Sequence, residues 1–272
     1  METLPPTNNF ISNKYGYKLH FREFINPSFK ETIFYFHGFN SSSNKKYINN
    51  FANYIYSMNI NFLTLDFQSH GYSQGIPSLI ENHEDLIDDA IQFIDNRTQK
   101  YNFQKIGIIG SSMGGAVVSQ ILDKFDERII GAILLAPCFS VCERNKYLEY
   151  LLHNFFTKYF PKKSIPKFLC SGVKPKDCLK EIPNNFTTIE NLPFKTAQSI
   201  IKLADTSLQS NYHNKKIFII HDPQDKITSF NGSKKFAELN KNVSIIPLDG
   251  SLHNILYNSP DVVLIFIIKL FF

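Results

Sequence analysis

The chain lacks any apolar run long enough to span a bilayer: in its closing stretch, only Val262–Ile268, seven residues, precede Lys269, against the ~20 that a spanning helix needs. That stretch is expected to be a helix packed on the rest of the molecule. The first residues, Met1 to Asn9, show neither the basic n-region nor the apolar h-region of a secretory leader. A cytoplasmic, reducing location is therefore expected, and the four cysteines Cys138, Cys142, Cys170 and Cys178 are expected as thiols rather than disulfides. They are spaced with three and seven residues between neighbours, and no histidine pair completes a zinc set, so no metal is expected. Arginine-rich stretches, RNA-binding signatures and internal repeats are also missing. The net charge of +5, from 29 basic and 24 acidic residues, is too small to point to a nucleic-acid partner.

What is present is apolar and aromatic. A hydrophobic content of 43%, with 26 phenylalanines, supports a sizeable core in a chain of 272 residues, and that length fits one core with an insertion. The most informative segment is Lys105–Val118, in which a buried strand, the G-x-S-x-G turn Gly110-Ser111-Ser112-Met113-Gly114 and a helix start follow one another. A serine on so sharp a turn is exposed on a strained backbone, its neighbours two positions away must be small, and the first amides of the helix face the hydroxyl. Ser112 is thus a candidate nucleophile. Thr32–Phe36 reads as a buried strand opening into the loop His37-Gly38-Phe39-Asn40. Lys216–Ile220 runs into His221-Asp222-Pro223-Gln224-Asp225, and Asn242–Leu248 into Asp249-Gly250-Ser251-Leu252-His253. A carboxylate and a histidine each fall past the C-terminal end of a strand, the edge of a parallel sheet where ligands bind. The order Ser112, acid, His253 is that of the α/β-hydrolase triad.

On these residues, and on Asp66-Phe67-Gln68-Ser69-His70-Gly71-Tyr72-Ser73-Gln74-Gly75 and Ile80–Ala90, the chain resembles the monoacylglycerol lipase and lysophospholipase-like group of α/β-hydrolases, which includes serine aminopeptidases of the S33 type. The likeness runs from about Gly16 to the C-terminus and is loose between Cys138 and Tyr212. It implies an α/β fold with a mostly parallel central sheet, helices on both faces and a helical lid insertion. Residues 1–137 and 213–272 would form the core and residues 138–212 the lid. The resemblance departs from the family pattern in two places: Gln68-Ser69 stand where Arg-Gly is usual, and Asp222 stands where glycine follows His221. Asp222 therefore competes for the acid role. Asp225, four residues past the strand-end histidine as in the family, is preferred, with Asp222 left as a solvated loop charge. Backbone amides of Phe39 and Met113 are expected to form an oxyanion hole, His37 and His70, which precede glycines in loops near the site, are expected to hold loop backbone, and no cofactor is expected.

Residues 140 to 212 carry 11 Lys plus Arg and 6 Asp plus Glu, a surplus equal to that of the whole chain. Within them Leu148, Leu151, Leu152, Phe155, Phe156 and Tyr159 fall on one helical face, followed by proline-flanked lysines at 162, 163, 167, 174 and 176. Such a helix suits an anionic lipid surface, or else packs on the core with its lysines in solvent. The remaining elements expected are a half-exposed strand near the sheet edge at Tyr17–Phe24, a helix from about Lys46 to Met58, strands at Ile60–Leu65 and Ile129–Leu135, and a helical stripe through Leu86, Ile87, Ala90, Ile91 and Ile94. The expected activity is hydrolysis of single-chain acyl esters. An aminopeptidase, a thioesterase and a non-enzymatic binding protein are the alternatives. Aspartate-nucleophile chemistry is excluded by Ser112.

Overall fold

The computed structural model describes residues 9–125, 127–141, 146–165, 192–209 and 215–272. Eight strands form one sheet: β1 Asn9–Ser12, β2 Lys18–Phe24, β3 Glu31–Phe36, β4 Ile60–Leu65, β5 Lys105–Ser111, β6 Ile129–Leu135, β7 Lys216–His221 and β8 Val243–Pro247. Their order across the sheet is β1-β2-β4-β3-β5-β6-β7-β8, antiparallel at β1/β2 and β2/β4 and parallel from β4 through β8. The helices are α1 Lys46–Ser57, α2 His83–Tyr101, α3 Met113–Ile121, α4 Lys146–Leu151, α5 Phe194–Leu208, α6 Phe230–Leu239, α7 Ile255–Asn258 and α8 Pro260–Phe271. After α4 the chain continues through a π-helical turn, Leu152–Phe156, and a last turn, Thr157–Tyr159.

The central strands are apolar on both faces because helices cover both. Along β3, Phe34 and Phe36 join a cluster with Phe93 and Ile94 of α2, Val117 of α3, Leu203 of α5 and Phe236 of α6. Ile33 and Tyr35, one step along the pleat, join the opposite cluster with Phe51 of α1, Ile255 of α7 and Ile267 of α8. The closing apolar stretch is thus a sheet-covering helix, with Lys105 Nζ 2.5 Å from the Phe271 carbonyl oxygen and Lys216 Nζ 2.9 Å from that of Lys269. Among the described residues, no helix is long and apolar enough to cross a membrane.

Two expectations need correction. Strand β2 lies next to the sheet edge, as expected, but is mostly buried rather than half-exposed, since β1, too short to show a pattern in the sequence, pairs along its outer side. The apolar face expected over Leu148–Tyr159 is split at the π turn, whose extra residue rotates the later side chains. Leu152 is buried and Phe156 stacks on Phe194 at 4.5 Å between ring centroids, whereas Phe155 and Tyr159 are 48% and 58% exposed. Within the range 138–212, some of the described residues pack with the core. Phe139 stacks on Phe236, and α5 buries Leu203 and Ala204 in the same cluster as α3. Gln120 of α3 donates to Thr206 and Ser207 of α5. Cys138 is buried; Cys142, Cys170 and Cys178, with Lys167, Lys174 and Lys176, lie outside the described residues.

Candidate active site

Ser112 is the single residue between β5 and α3, and it adopts φ 53° and ψ −116°, a region that side chains other than glycine's rarely occupy. The turn is held by the Ser112 N–H donating to Leu135 O at 2.9 Å, and by Ser112 O accepting from Cys138 N at 3.0 Å. Close approach explains the flanking glycines. A methyl on Gly114 would lie 2.3 Å from the Phe36 carbonyl oxygen, and one on Gly110 would lie 2.5 Å from that of Gly114. Both contacts are far inside van der Waals distance, so the tightness of the turn selects glycine at these positions.

The sheet brings the other two candidates to this turn. His253, in the loop after β8, places Nε2 3.0 Å from Ser112 Oγ and Nδ1 2.7 Å from Asp225 Oδ2. A carboxylate oxygen there accepts, so Nδ1 carries the hydrogen and Nε2 presents its lone pair to the serine. Asp225, in the loop after β7, is buried, and its Oδ1 accepts from the Ile227 and Thr228 amides at 2.7 and 3.3 Å. Burial pushes its carboxyl up, but the His253 charge, hydrogen bonds from His221 and His253 and the Ile227 amide outweigh it and hold the group well below the usual carboxylate range.

Two side chains around Asp225 were not singled out by the sequence reasoning. Thr228 Oγ1 lies 3.0 Å from Asp225 Oδ2, 3.1 Å from the Ala136 carbonyl oxygen and 3.3 Å from His253 Nδ1. His221 Nε2 lies 3.2 Å from both Asp225 Oδ2 and the Thr228 carbonyl oxygen, while its Nδ1 meets Ser233 Oγ at 2.8 Å. Since the carbonyl only accepts, Nε2 donates. The only signal in the sequence was the place of His221 at the strand end. Asp222 differs from its expectation: it is fully buried, not a solvated charge, and its two oxygens accept from Gln224 N at 2.8 Å and Leu252 N at 2.7 Å. The carboxylate hydrogen-bonded to His253 is that of Asp225.

On the other side of Ser112 lies the loop after β3. A methyl on Gly38 would meet Ser112 Cβ at 3.0 Å, so the Gly38–Phe39 peptide runs beside Ser112. His37 orients that peptide. Its Nε2 accepts from the Phe67 amide at 3.3 Å, leaving Nδ1–H to donate to Gly38 O at 2.8 Å. A trans peptide points its N–H opposite to its carbonyl, which turns the Phe39 amide away from His37. The Met113 amide, by contrast, belongs to the first turn of α3, where amides have no helical acceptor. His70 Nδ1 meets Gln68 O at 3.0 Å, and burial pushes its imidazole down to about 4. Asp66 ties the surrounding loops together through His20 at 2.9 Å, the Tyr72 amide at 3.0 Å and the Ser43 amide. Among the described residues no three His, Cys, Asp or Glu side chains gather as metal ligands would.

The strand order, the helices on both faces and a serine on the β5–α3 turn facing His253 define the α/β-hydrolase class. The chain belongs to the Hydrolase_4 family, described as serine aminopeptidase, S33, whose profile matches residues 27–260. Among solved structures it is similar to the monoacylglycerol lipase of Paleococcus ferrophilus, at 17% identity over 93% of this chain and 98% of that one, with a TM-score of 0.76. A soluble variant of Saccharomyces cerevisiae monoglyceride lipase, in complex with a substrate analogue, gives 16% identity over 99% and 94%, with a TM-score of 0.77. Est1E of Butyrivibrio proteoclasticus, with ferulic acid bound, gives 18% over 96% and 98%, with a TM-score of 0.67. At these identities the likeness is one of fold. No curated protein sequence matches the chain.

Proposed function

We propose that the protein is a serine hydrolase that cleaves carboxylic esters of single-chain acyl lipids, monoacylglycerols or lysophospholipids, through an acyl-enzyme intermediate. The observation that carries this reading is the continuous contact from Ser112 Oγ through His253, 3.0 Å away, to Asp225, 2.7 Å further on. His253 Nε2 takes the Ser112 proton as Oγ attacks the ester carbonyl carbon, and Asp225 holds the imidazole tautomer and balances the imidazolium. The carbonyl oxygen gains negative charge, and the amides of Phe39 and Met113 are assigned to receive it. Collapse of this intermediate breaks the bond to the alcohol, which leaves with the proton from His253. A water, deprotonated by the same nitrogen, then releases the fatty acid and restores Ser112.

The acyl-lipid specificity is supported by the two lipases of like fold and by the exposed aromatic surface of the segment 146–165. In that segment Tyr150 is 64% exposed, and Phe155 contacts Tyr159 and Phe160 at 5.2 and 6.2 Å between ring centroids. Lys158, Lys162 and Lys163 are exposed, with Lys158 Nζ 5.4 Å from the Tyr159 ring centroid and Lys163 Nζ 4.8 Å from that of Phe160. We assign this part of the insertion to a lid that meets an anionic lipid surface from the cytoplasmic side. The family description favours a second reading, an aminopeptidase. Rates on monoacylglycerol, lysophosphatidylcholine, a ladder of p-nitrophenyl esters and an aminoacyl amide separate the two. Turnover of the long-chain esters is expected; turnover of the amide alone would replace the lipase reading.

A further inference from the structure

The acid loop and the histidine loop arise from different strands, β7 and β8, yet Asp225 and His253 must meet to within one hydrogen bond. One buried side chain bridges the two loops close to both residues. Asp222 lies three residues before Asp225, and Leu252 directly precedes His253. The Asp222 carboxyl accepts the Gln224 amide at 2.8 Å on its own loop and the Leu252 amide at 2.7 Å on the other. The Asp222 carbonyl oxygen also accepts from Asp225 N at 3.1 Å, so the same residue closes the turn that presents the acid.

Leu252 adopts φ 55°, a left-handed conformation that a leucine side chain disfavours. A residue held there needs surrounding contacts that outweigh its strain. The hydrogen bond from its amide to Asp222 is such a contact, and it sits one peptide away from the imidazole.

We propose that Asp222 is a positioning residue: by tying the Leu252 amide to the acid loop, it sets the approach of His253 to Asp225. This inference rests on the triad reading above. Its geometric content, the Asp225–His253 contact, is measurable whether or not the protein hydrolyses esters.

The test uses the full chain with Asp222→Ala, Asp222→Asn and the double variant Asp222→Ala/Leu252→Gly. Asn keeps the shape but offers one acceptor where two amides donate. Glycine adopts a positive φ without steric cost, so at position 252 it keeps the left-handed turn without the bridge. The first readout is the downfield proton resonance of the hydrogen-bonded His253 Nδ1–H, which needs no activity. It is expected to broaden or vanish in Asp222→Ala and to return in the double variant. The second is kinetic: on a small p-nitrophenyl ester, Asp222→Ala is expected to lower kcat about thirtyfold with KM nearly unchanged, less than the ~10²-fold that an ångström of misplacement can cost. The double variant is expected to recover most of that loss. If Asp222→Ala does not fold, Asp222→Asn carries both readouts in the same direction.

An unshifted resonance together with kcat within twofold of wild type would overturn the proposal. So would a loss that Leu252→Gly does not relieve, because a role in packing alone gives glycine nothing to restore. A wild type that shows the resonance but no labelling by a fluorophosphonate probe would overturn the hydrolase reading while leaving the bridge intact.

Discussion

The two sides of the proposed reaction are built differently. Around Ser112, Asp225 and His253, strand ends, strained turns and buried hydrogen bonds fix each side chain in more than one way. Asp225 alone contacts His253, His221, Thr228 and the Ile227 amide. In the segment 146–165, by contrast, Leu152 is buried and Phe156 stacks on Phe194, while Tyr150, Phe155 and Tyr159 face outward. Under the proposed function, chemistry and substrate choice would be under separate physical control. A preorganised centre supplies transition-state stabilisation, and an exposed aromatic and basic surface can be remodelled without disturbing it.

Substitutions sharpen this contrast, with the largest effect at the nucleophile. Ser112→Ala is expected to lower turnover by roughly 10⁶, as removal of a triad serine does, with the thermal unfolding midpoint retained. Asp225→Asn is expected to cost about 10⁴ in kcat through the wrong imidazole tautomer. In the same assay Asp222→Asn loses far less, because it touches the loops and not the imidazole. The opposite ranking would transfer the acid role to Asp222.

A smaller effect concerns pH. His70 has an ordinary value of 6.5 and is pushed down to about 4 by burial, so the unfolded chain binds this proton first as pH falls. The stability linked to it is complete above about 6.5 and is lost as pH falls toward 4, by roughly 3 kcal/mol. Replacing His70 by Gln should flatten the dependence of urea unfolding on pH in that interval. A slope as steep as that of the wild type would show that other groups dominate.

Thr228→Val removes one hydroxyl from the Asp225 cage and should lower kcat about tenfold, the scale of one hydrogen bond. The exposed segment should respond in the opposite way. With Lys158, Lys162 and Lys163 changed to Gln, hydrolysis of a small soluble ester should stay unchanged, while binding to phosphatidylserine vesicles weakens by about 1 kcal/mol per lysine near the surface. Equal sedimentation of both proteins with vesicles at low salt would make these lysines ordinary solvent charges.

The parts of this account legible in the sequence are those set by local spacing. The elbow glycines flank Ser112 because chains approach there within one turn, and buried parallel strands read as apolar runs that end where Asp225 and His253 begin. His37 and His70, expected to hold loop backbone, bond to Gly38 O and Gln68 O. What was not legible depends on approach between distant segments. The four-residue β1 has too few positions to show alternation. The bridge from Asp222 to Leu252 spans 30 residues, and the ring of His221 and Thr228 around Asp225 exists only once the acid loop has folded back. The π turn at Leu152–Phe156 changes the helical period, which regular spacing cannot anticipate. Helix α5 lies within the segment read as a lid, yet its contacts with α3 place it against the core.

Peptide mapping after reaction with a fluorophosphonate decides whether Ser112, among the chain's many serines, is the nucleophile. A single phosphonylated peptide with the adduct on Ser112 Oγ is expected, with no adduct in Ser112→Ala and strongly slowed labelling in His253→Ala. An adduct on another serine, or labelling at an undiminished rate without His253, would contradict this assignment.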